Sequence, residues 1–465
     1  MYALGHELTH APSHKFDLAH MRVLLTALGH PETKFASLLI AGTNGKGSTA
    51  STLASILQAS GLKTGLYTSP HLVRINERIR LNGESISDDD FALLHDVVGR
   101  TAERLVSESD LPWHPSFFEM LTAMAFEYFA RSQPDMVVLE VGMGGRLDAT
   151  NVVDPRLSII TDISLDHQRF LGETIPEIAR EKAGIIRPNG AVVTLPQLPE
   201  ANDVIGNAIL KLGARVVNAV PYVPPVTPAS PEYSVASDEY SLEPAPRQRY
   251  PLEILGETIT VDSPLVGRHQ LRNIALSIAA AFELHGQGFK QITPATIERG
   301  IRDTHWPGRF QVVSVSSTFE AEAAGVKPEA ESKIARAERR KLEFVFDVAH
   351  NPAGAWALRS TLSAYENRPL IIVFGVLRDK AMAEMAEILF PIAERVIATH
   401  SNNPRSATPG EIRQAARISA DISEAKTVAE AIRMAIDRSG PGSLVVVTGS
   451  IYVVGEAMRT LGLRI

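Results

Sequence analysis

A chain of 465 residues with 45% hydrophobic content and a formal charge of −7 is too long for one hydrophobic core and too acidic for general nucleic-acid binding. It contains no cysteine, which excludes disulfides, thiolate metal sites and a cysteine nucleophile together. No apolar run reaches the length of a membrane span, and the opening MYALGHELTHAPSHK lacks the pattern of a signal peptide, so the cytoplasm is the expected location.

In chain order, Asp17–Gly29 reads as a short amphipathic helix leading into LLIAGTNGKGST at Leu38–Thr49. Leu38 to Ile40 look like the end of a buried parallel strand. Gly42 and Gly45 let the backbone turn tightly, Lys46 projects from the bend, and Ser48 and Thr49 open a helix running to about Ala59. A strand, a glycine turn and a helix start gather backbone N–H groups around one anion at the positive end of the helix dipole. A lysine there neutralises terminal phosphates, and a hydroxyl helps order a metal. The spacing departs from the usual phosphate loop, since two residues separate Gly42 from Gly45 and Gly47 stands between Lys46 and the hydroxyl. A turn that binds nothing does not need a lysine between two glycines. The stretch is therefore read as a nucleotide-phosphate site.

Lys63–Thr68 is a second expected strand, ending at Ser69-Pro70-His71. LVRINERIRLNGESIS alternates apolar and charged residues like a hairpin or edge strand, and Arg74, Arg78 and Arg80 are as readily solvated as functional. Helical periodicity covers Asp88–Leu105 and Phe117–Arg131. Strands follow at Asp135–Val141, Leu157–Ile163 and Gly190–Leu195, with a helix at Ile175–Ala183. Such alternation implies a mostly parallel sheet covered on both faces, with ligands beyond the carboxyl ends of its strands. The phosphate loop, Ser69, Glu140 and His167 all lie at or just past such ends. Pro221–Pro251 interrupts the pattern as a surface excursion or irregular β insertion, and Leu271–Leu284 is an apolar helix. A short helix at Thr293–Arg302 precedes HWPGR, where the domain boundary is placed, giving a nucleotide-binding domain at 1–304 and a smaller one at 305–465. In the second domain FQVVSVS, LEFVFDVA, LIIVFGV, RVIATH and LVVVTGSI alternate with helices as a Rossmann-like α/β unit. The charged, alanine-rich Ser317–Lys341 is an excursion within it.

Several residues carry candidate chemistry. Glu140 closes a buried strand, where a carboxylate needs either a cation or donors; Arg146 and a hard oxygen-seeking metal are the two candidate partners. His167 follows Asp166 beside that rim, although imidazole is an unusual magnesium ligand. Lys182, on a helix, is by its local sequence a solvated lysine. Asp347 closes an apolar strand ahead of Ala349-His350-Asn351-Pro352, and Arg309 could reach phosphate from the interdomain boundary.

Taken in order, GTNGKGS at 42–48, SPHL at 69–72, SFFEMLTAMAF at 116–126, LEVGMGGRLDATN at 139–151, DH at 166–167, EKAGIIR at 181–187, PGRFQ at 307–311, DVAHNP at 347–352 and TGS at 448–450 resemble the folylpolyglutamate synthase and dihydrofolate synthase family of the Mur ligase superfamily. The resemblance implies a P-loop ATPase domain plus a smaller Rossmann-like domain, with ATP and magnesium as cofactors. It implies that Thr43, Asn44, Gly45, Lys46, Gly47 and Ser48 bind ATP phosphates, with Asn273, Arg309, Asp347 and His350 at the nucleotide. It assigns Ser69, Glu140 and His167 to magnesium, and it matches Lys182 to a lysine that relatives carry as a carbamate. It places Asp17, Leu18, Ala19, Ser116, Phe117, Phe118, Glu119, Leu147, Asp148 and Ala149 around a dihydropteroate. The implied catalytic set is Lys46, Glu140, His167, Lys182 and Arg309. The implied reaction joins L-glutamate to dihydropteroate, and to reduced folates as a second activity, through an acyl phosphate; a monomer without nucleic-acid or membrane partners is expected. A folylpolyglutamate synthase alone, a peptidoglycan-precursor ligase and a non-catalytic ATP-binding regulator are the alternatives.

Overall fold

The computed structural model describes residues 18–225, 245–316, 341–417 and 421–463. Asp17, most of the proline-rich stretch and the 317–340 excursion lie outside them. The chain divides into two compact units with a break between His305 and Trp306; residues 245–249 and Ser263–Arg268 group with the second unit rather than the first.

The first unit holds an eight-stranded sheet. Its strands are β1 (Ser37–Ala41), β2 (Thr64–Tyr67), β3 (Ile79–Leu81), β4 (Glu84–Ser85), β5 (Met136–Glu140), β6 (Leu157–Ile160), β7 (Ala191–Thr194) and β8 (Arg215–Asn218), in the order β4-β3-β2-β5-β1-β6-β7-β8. The pairings from β2 through β5, β1, β6 and β7 to β8 are parallel, while β3 runs antiparallel to both of its neighbours, β2 and β4. The uninterrupted apolar run of β1 follows from burial on both faces. Leu39 and Ala41 join one core with α1 (Leu18–Ala27), α3 (Asp88–Ser107), α4 (Phe117–Ser132) and α6 (Ile175–Ala183). Leu38 and Ile40 join the opposite core with α2 (Lys46–Ala59), α8 (Arg268–Gly286) and α9 (Pro294–Arg302). Between α3 and α8 the chain also forms α5 (Gln168–Leu171), α7 (Pro199–Leu212) and the two-stranded hairpin β9 (Gln248–Ile254) and β10 (Glu257–Ser263).

The second unit is a six-stranded sheet of β11 (Gln311–Ser316), β12 (Lys341–Phe346), β13 (Leu370–Phe374), β14 (Arg395–Ala398), β15 (Ile422–Glu424) and β16 (Leu444–Thr448), ordered β11-β12-β16-β13-β14-β15. Only β11 is antiparallel to its neighbour. Among the described residues five helices accompany it: α10 (Pro352–Leu362), α11 (Met382–Leu389), α12 (Pro409–Ala415), α13 (Val428–Arg438) and α14 (Ile451–Thr460).

Two readings of local environment are corrected. Arg78 and Arg80 are buried, at 2% and 9% exposure, whereas Arg74 is exposed and pairs with Asp88 at 2.7 Å. Burial of Arg78 is compatible with its charge because its Nε donates to His71 Nδ1 at 3.0 Å and its guanidinium lies 5.4 Å from the Phe117 ring centre. Lys182 is not solvated either; it is 3% exposed.

Candidate active site

The loop between β1 and α2 is held from below by the chain that leaves β6. The amides of Thr43 and Asn44 both donate to the Asp162 carbonyl, at 2.8 and 3.2 Å. Thr43 Oγ1 donates to the Ser164 carbonyl at 3.0 Å and accepts its amide at 3.1 Å, while Asn44 Nδ2 donates to Ser164 Oγ at 3.1 Å. The amides of the first turn of α2, at Lys46, Gly47 and Ser48, are by contrast ones that a helix cannot satisfy internally. Gly45 caps that helix at φ +87°, and a Cβ there would stand 2.1 Å from Asn273 Oδ1. Only glycine fits, and Asn273 consequently packs on the loop itself. Lys46 Nζ donates to the carbonyls of Gly42 and Thr43, at 3.2 Å each.

A second lysine shares that carbonyl. Lys182 on α6 donates from Nζ to Gly42 O at 2.8 Å. Burial, and then the neighbouring Lys46 charge, lower its pKa from 10.5 to about 7, against the opposing pull of Asp166 and Asp148. A buried amine with a lowered pKa therefore sits beneath the loop.

Glu140 ends β5 opposite Ile40 of β1, is 4% exposed, and accepts the Ser69 amide at 3.1 Å. Arg146, the alternative partner, instead pairs with Glu181 at 2.8 Å. His167 adopts φ +50° ahead of α5, with its Nε2 3.9 Å from Asp166 Oδ2 and its side chain 31% exposed. Among the described residues no group of three or more His, Asp or Glu side chains converges as a metal cage. A buried carboxylate and a serine beside a phosphate loop nevertheless form an oxygen-donor set that fits magnesium, which keeps waters and substrate phosphates among its ligands.

The acceptor group assembles in part. Phe118 lies on the Gly142 backbone, where a Cβ would meet its ring at 2.6 Å, and its ring centre is 6.1 Å from that of Tyr67. Ser116 and Glu119, however, cap α4 reciprocally: the Ser116 amide donates to Glu119 Oε2 at 2.7 Å and the Glu119 amide to Ser116 Oγ at 3.3 Å. Asp148 is likewise engaged by its own turn, accepting from Met143 N, Thr150 N and Thr150 Oγ1 at 3.0, 3.0 and 2.6 Å. Burial raises its pKa while these bonds hold it down. Leu147 is half-buried, Ala149 is buried, and Leu18 and Ala19 lie half-buried and exposed at the start of α1.

In the second unit Asp347 is buried at the end of β12 and joins two turns. Its carboxylate accepts the amides of Phe310 and Ala349, each at 2.9 Å. Burial raises its pKa, opposed chiefly by Arg309 and also by His350. Arg309 Nη1 donates to Gly308 O at 3.3 Å, and His350 Nδ1 lies 3.0 Å from Val348 O. The holding roles of Asp162 and Ser164 were not legible in sequence, where Leu157–Ile163 reads as a strand.

Residues 40–281 match the Mur ligase middle domain, and 334–451 match the Mur ligase, glutamate ligase domain. The dihydrofolate synthase/folylpolyglutamate synthase of Bacillus subtilis (strain 168) is 32% identical over 450 residues, spanning 96% of this chain and 94% of its own. The structure of Mycobacterium tuberculosis folylpolyglutamate synthase complexed with ADP and AMPPCP superposes with a TM-score of 0.80 at 30% identity, covering 96% of both chains. That of E. coli FolC in complex with DHPP and ADP gives 0.78 at 28% identity, covering 99% of this chain and 97% of its own.

Proposed function

The chain belongs to the dihydrofolate synthase/folylpolyglutamate synthase family of Mur ligases, and on that premise we propose that it joins L-glutamate to dihydropteroate and, as a second acceptor, to reduced folates. It is an ATP-dependent ligase that uses magnesium. In the reaction an acceptor carboxylate oxygen attacks the γ-phosphorus of ATP, the bond to ADP breaks, and an acyl phosphate forms. The glutamate amine then attacks the acyl carbon, phosphate leaves with the bonding electrons, and the amine loses a proton as the amide forms. No covalent protein nucleophile is required.

The observation that carries this reading is the pair of lysines on one loop carbonyl, Lys46 and Lys182 on Gly42, beside the Glu140 rim. Lys46 and the first-turn amides of α2 take the phosphates, and Asn273 fixes the loop that presents them. Bound magnesium, held by Ser69, Glu140 and His167, would supply positive charge to the phosphoryl oxygens. Lys182, with its amine near neutrality, is the residue suited to become a carbamate, because only the free amine adds carbon dioxide. Arg309, Asp347 and His350 are the second unit's proposed nucleotide contacts. Phe118, Leu147 and Ala149 offer an apolar wall to an aromatic acceptor. Among the described residues no helix is long and apolar enough to cross a membrane. A cytoplasmic monomer acting on small molecules is sufficient for this chemistry.

The test is a parallel assay of the purified protein with magnesium-ATP and glutamate against dihydropteroate and tetrahydrofolate, with products identified by mass. Glutamylated product from both acceptors is expected. Product from tetrahydrofolate alone would remove the dihydropteroate activity, and product from neither would overturn the folate reading.

A further inference from the structure

Nothing in the phosphate-loop chemistry explains why the start of α8 grips the loop at two points. Asn273 packs against Gly45. The residue before it, Arg272, reaches the other side of the loop's support. Its Nε donates to both carboxylate oxygens of Asp162, at 2.9 and 3.0 Å, and its Nη2 donates to Oδ1 at 2.6 Å and to the Pro196 carbonyl at 2.8 Å. Asp162 is the same residue whose carbonyl receives the amides of Thr43 and Asn44. Thr161 completes the join by donating from Oγ1 to Asn44 O at 2.8 Å, and the Ile163 amide is held by Gln197 Oε1 at 3.0 Å.

We propose that Arg272 is a positioning residue for nucleotide binding: by clamping the Asp162 side chain it fixes the Asp162 carbonyl on which the phosphate loop rests. The proposal rests on the reading of that loop as the nucleotide site. The chain beyond β6 has left its sheet at this point, so side chains and not a strand ladder must set its path. A guanidinium fork is suited to this because its donors lie in one plane and specify direction as well as charge. The two side chains are 32% and 34% exposed. An ion pair so wet adds little to global stability. Its effect should therefore appear in the geometry of the loop, and so in the affinity for nucleotide, more than in the melting temperature.

The experiment is calorimetric titration of the full chain with magnesium-ADP, alongside steady-state kinetics and thermal melts, for wild type, Arg272→Gln, Arg272→Lys, Asp162→Asn and the Arg272→Gln/Asp162→Asn pair. Each of Arg272→Gln and Asp162→Asn is expected to raise the Kd for ADP and the KM for ATP about fivefold or more, with the KM for glutamate and the melting temperature close to wild type. The double variant should bind no more weakly than the single ones, and lysine should restore only part of the affinity. Unchanged Kd in both single variants would overturn the proposal. So would additive losses in the double variant, or a fall in melting temperature with the KM for ATP and glutamate rising together. If Arg272→Gln does not fold, the isosteric Asp162→Asn decides by the same criteria. Failure of wild type itself to bind ADP would instead remove the nucleotide reading.

Discussion

Replacing Lys182 by methionine tests the most unusual electrostatic feature of the site. The amine is buried against the Gly42 carbonyl, and burial, reinforced by Lys46, brings its pKa from 10.5 to about 7. In the unfolded chain the same amine returns to its ordinary value. Below about pH 7 both states carry the ammonium, and the full penalty for burying it is present. As pH rises from there towards the unfolded value, the folded protein holds a neutral amine while the unfolded chain still binds a proton. Stability from this group then increases by about 1.36 kcal/mol per pH unit. Between about pH 6 and about pH 9 the wild type should gain about 2–3 kcal/mol that methionine cannot gain. Loss of the hydrogen bond to Gly42 offsets the variant by about 1 kcal/mol at every pH. Urea unfolding of both proteins in bicarbonate-free buffer measures the difference directly. The methionine variant should be the more stable protein near the acid end and lose that advantage towards the alkaline end. Stability profiles that stay parallel would refute a buried, depressed lysine.

Two further outcomes follow from the loop and the rim. Lys46→Ala should fold normally but lose about 2–4 kcal/mol of transition-state stabilisation, read as a fall in turnover at saturating ATP; near-wild-type turnover would take this lysine out of the mechanism. Glu140→Gln and His167→Ala should each raise the magnesium concentration needed for half-maximal initial rate, and an unaltered magnesium curve in both would leave them as structural residues of the rim.

How much of this was legible in the sequence depended on whether the signal was local. The buried strands β1, β5, β13 and β16 were evident because strands covered on both faces read as unbroken apolar runs. The helix at Ile175–Ala183 was evident from its periodicity. By contrast β8 is largely exposed and only four residues long, so nothing in its burial repeats with period two. The β9–β10 hairpin starts at the end of the stretch read as a proline-rich excursion, Pro221–Pro251, and continues past it, where Leu255-Gly256 at φ +53° and +80° makes a two-residue turn that was not read. Lys182 was misread because a helix position says nothing about what packs over it. The burial of Arg78 depends on Phe117, 39 residues away, and could not be read from the alternation around it.

The acceptor group shows the same limit within a motif. Resemblance placed Ser116, Glu119 and Asp148 around a substrate, yet each has a prior commitment to the main chain. Ser-x-x-Glu ahead of an apolar run is a capping box, and that signal was present in SFFE from the start. Asp148 plays the corresponding part in the turn at Ala149–Val152, where it serves as the N-cap for Thr150. The Asp148 carboxylate, which already accepts three short hydrogen bonds, has little capacity left to reward a ligand's N–H, and moving either it or Glu119, which accepts the Ser116 amide, would unsatisfy a donor at a cost of about 1–3 kcal/mol. These side chains therefore act by holding shape. Ser116 and Glu119 fix the entry of α4 and so the place of Phe118; Asp148 fixes the turn whose Gly142 backbone meets that ring. On the proposed function, acceptor choice would then fall to the ring, to the apolar Leu147 and Ala149, and to backbone groups of that turn, which would recognise a flat aromatic molecule by shape more than by charge.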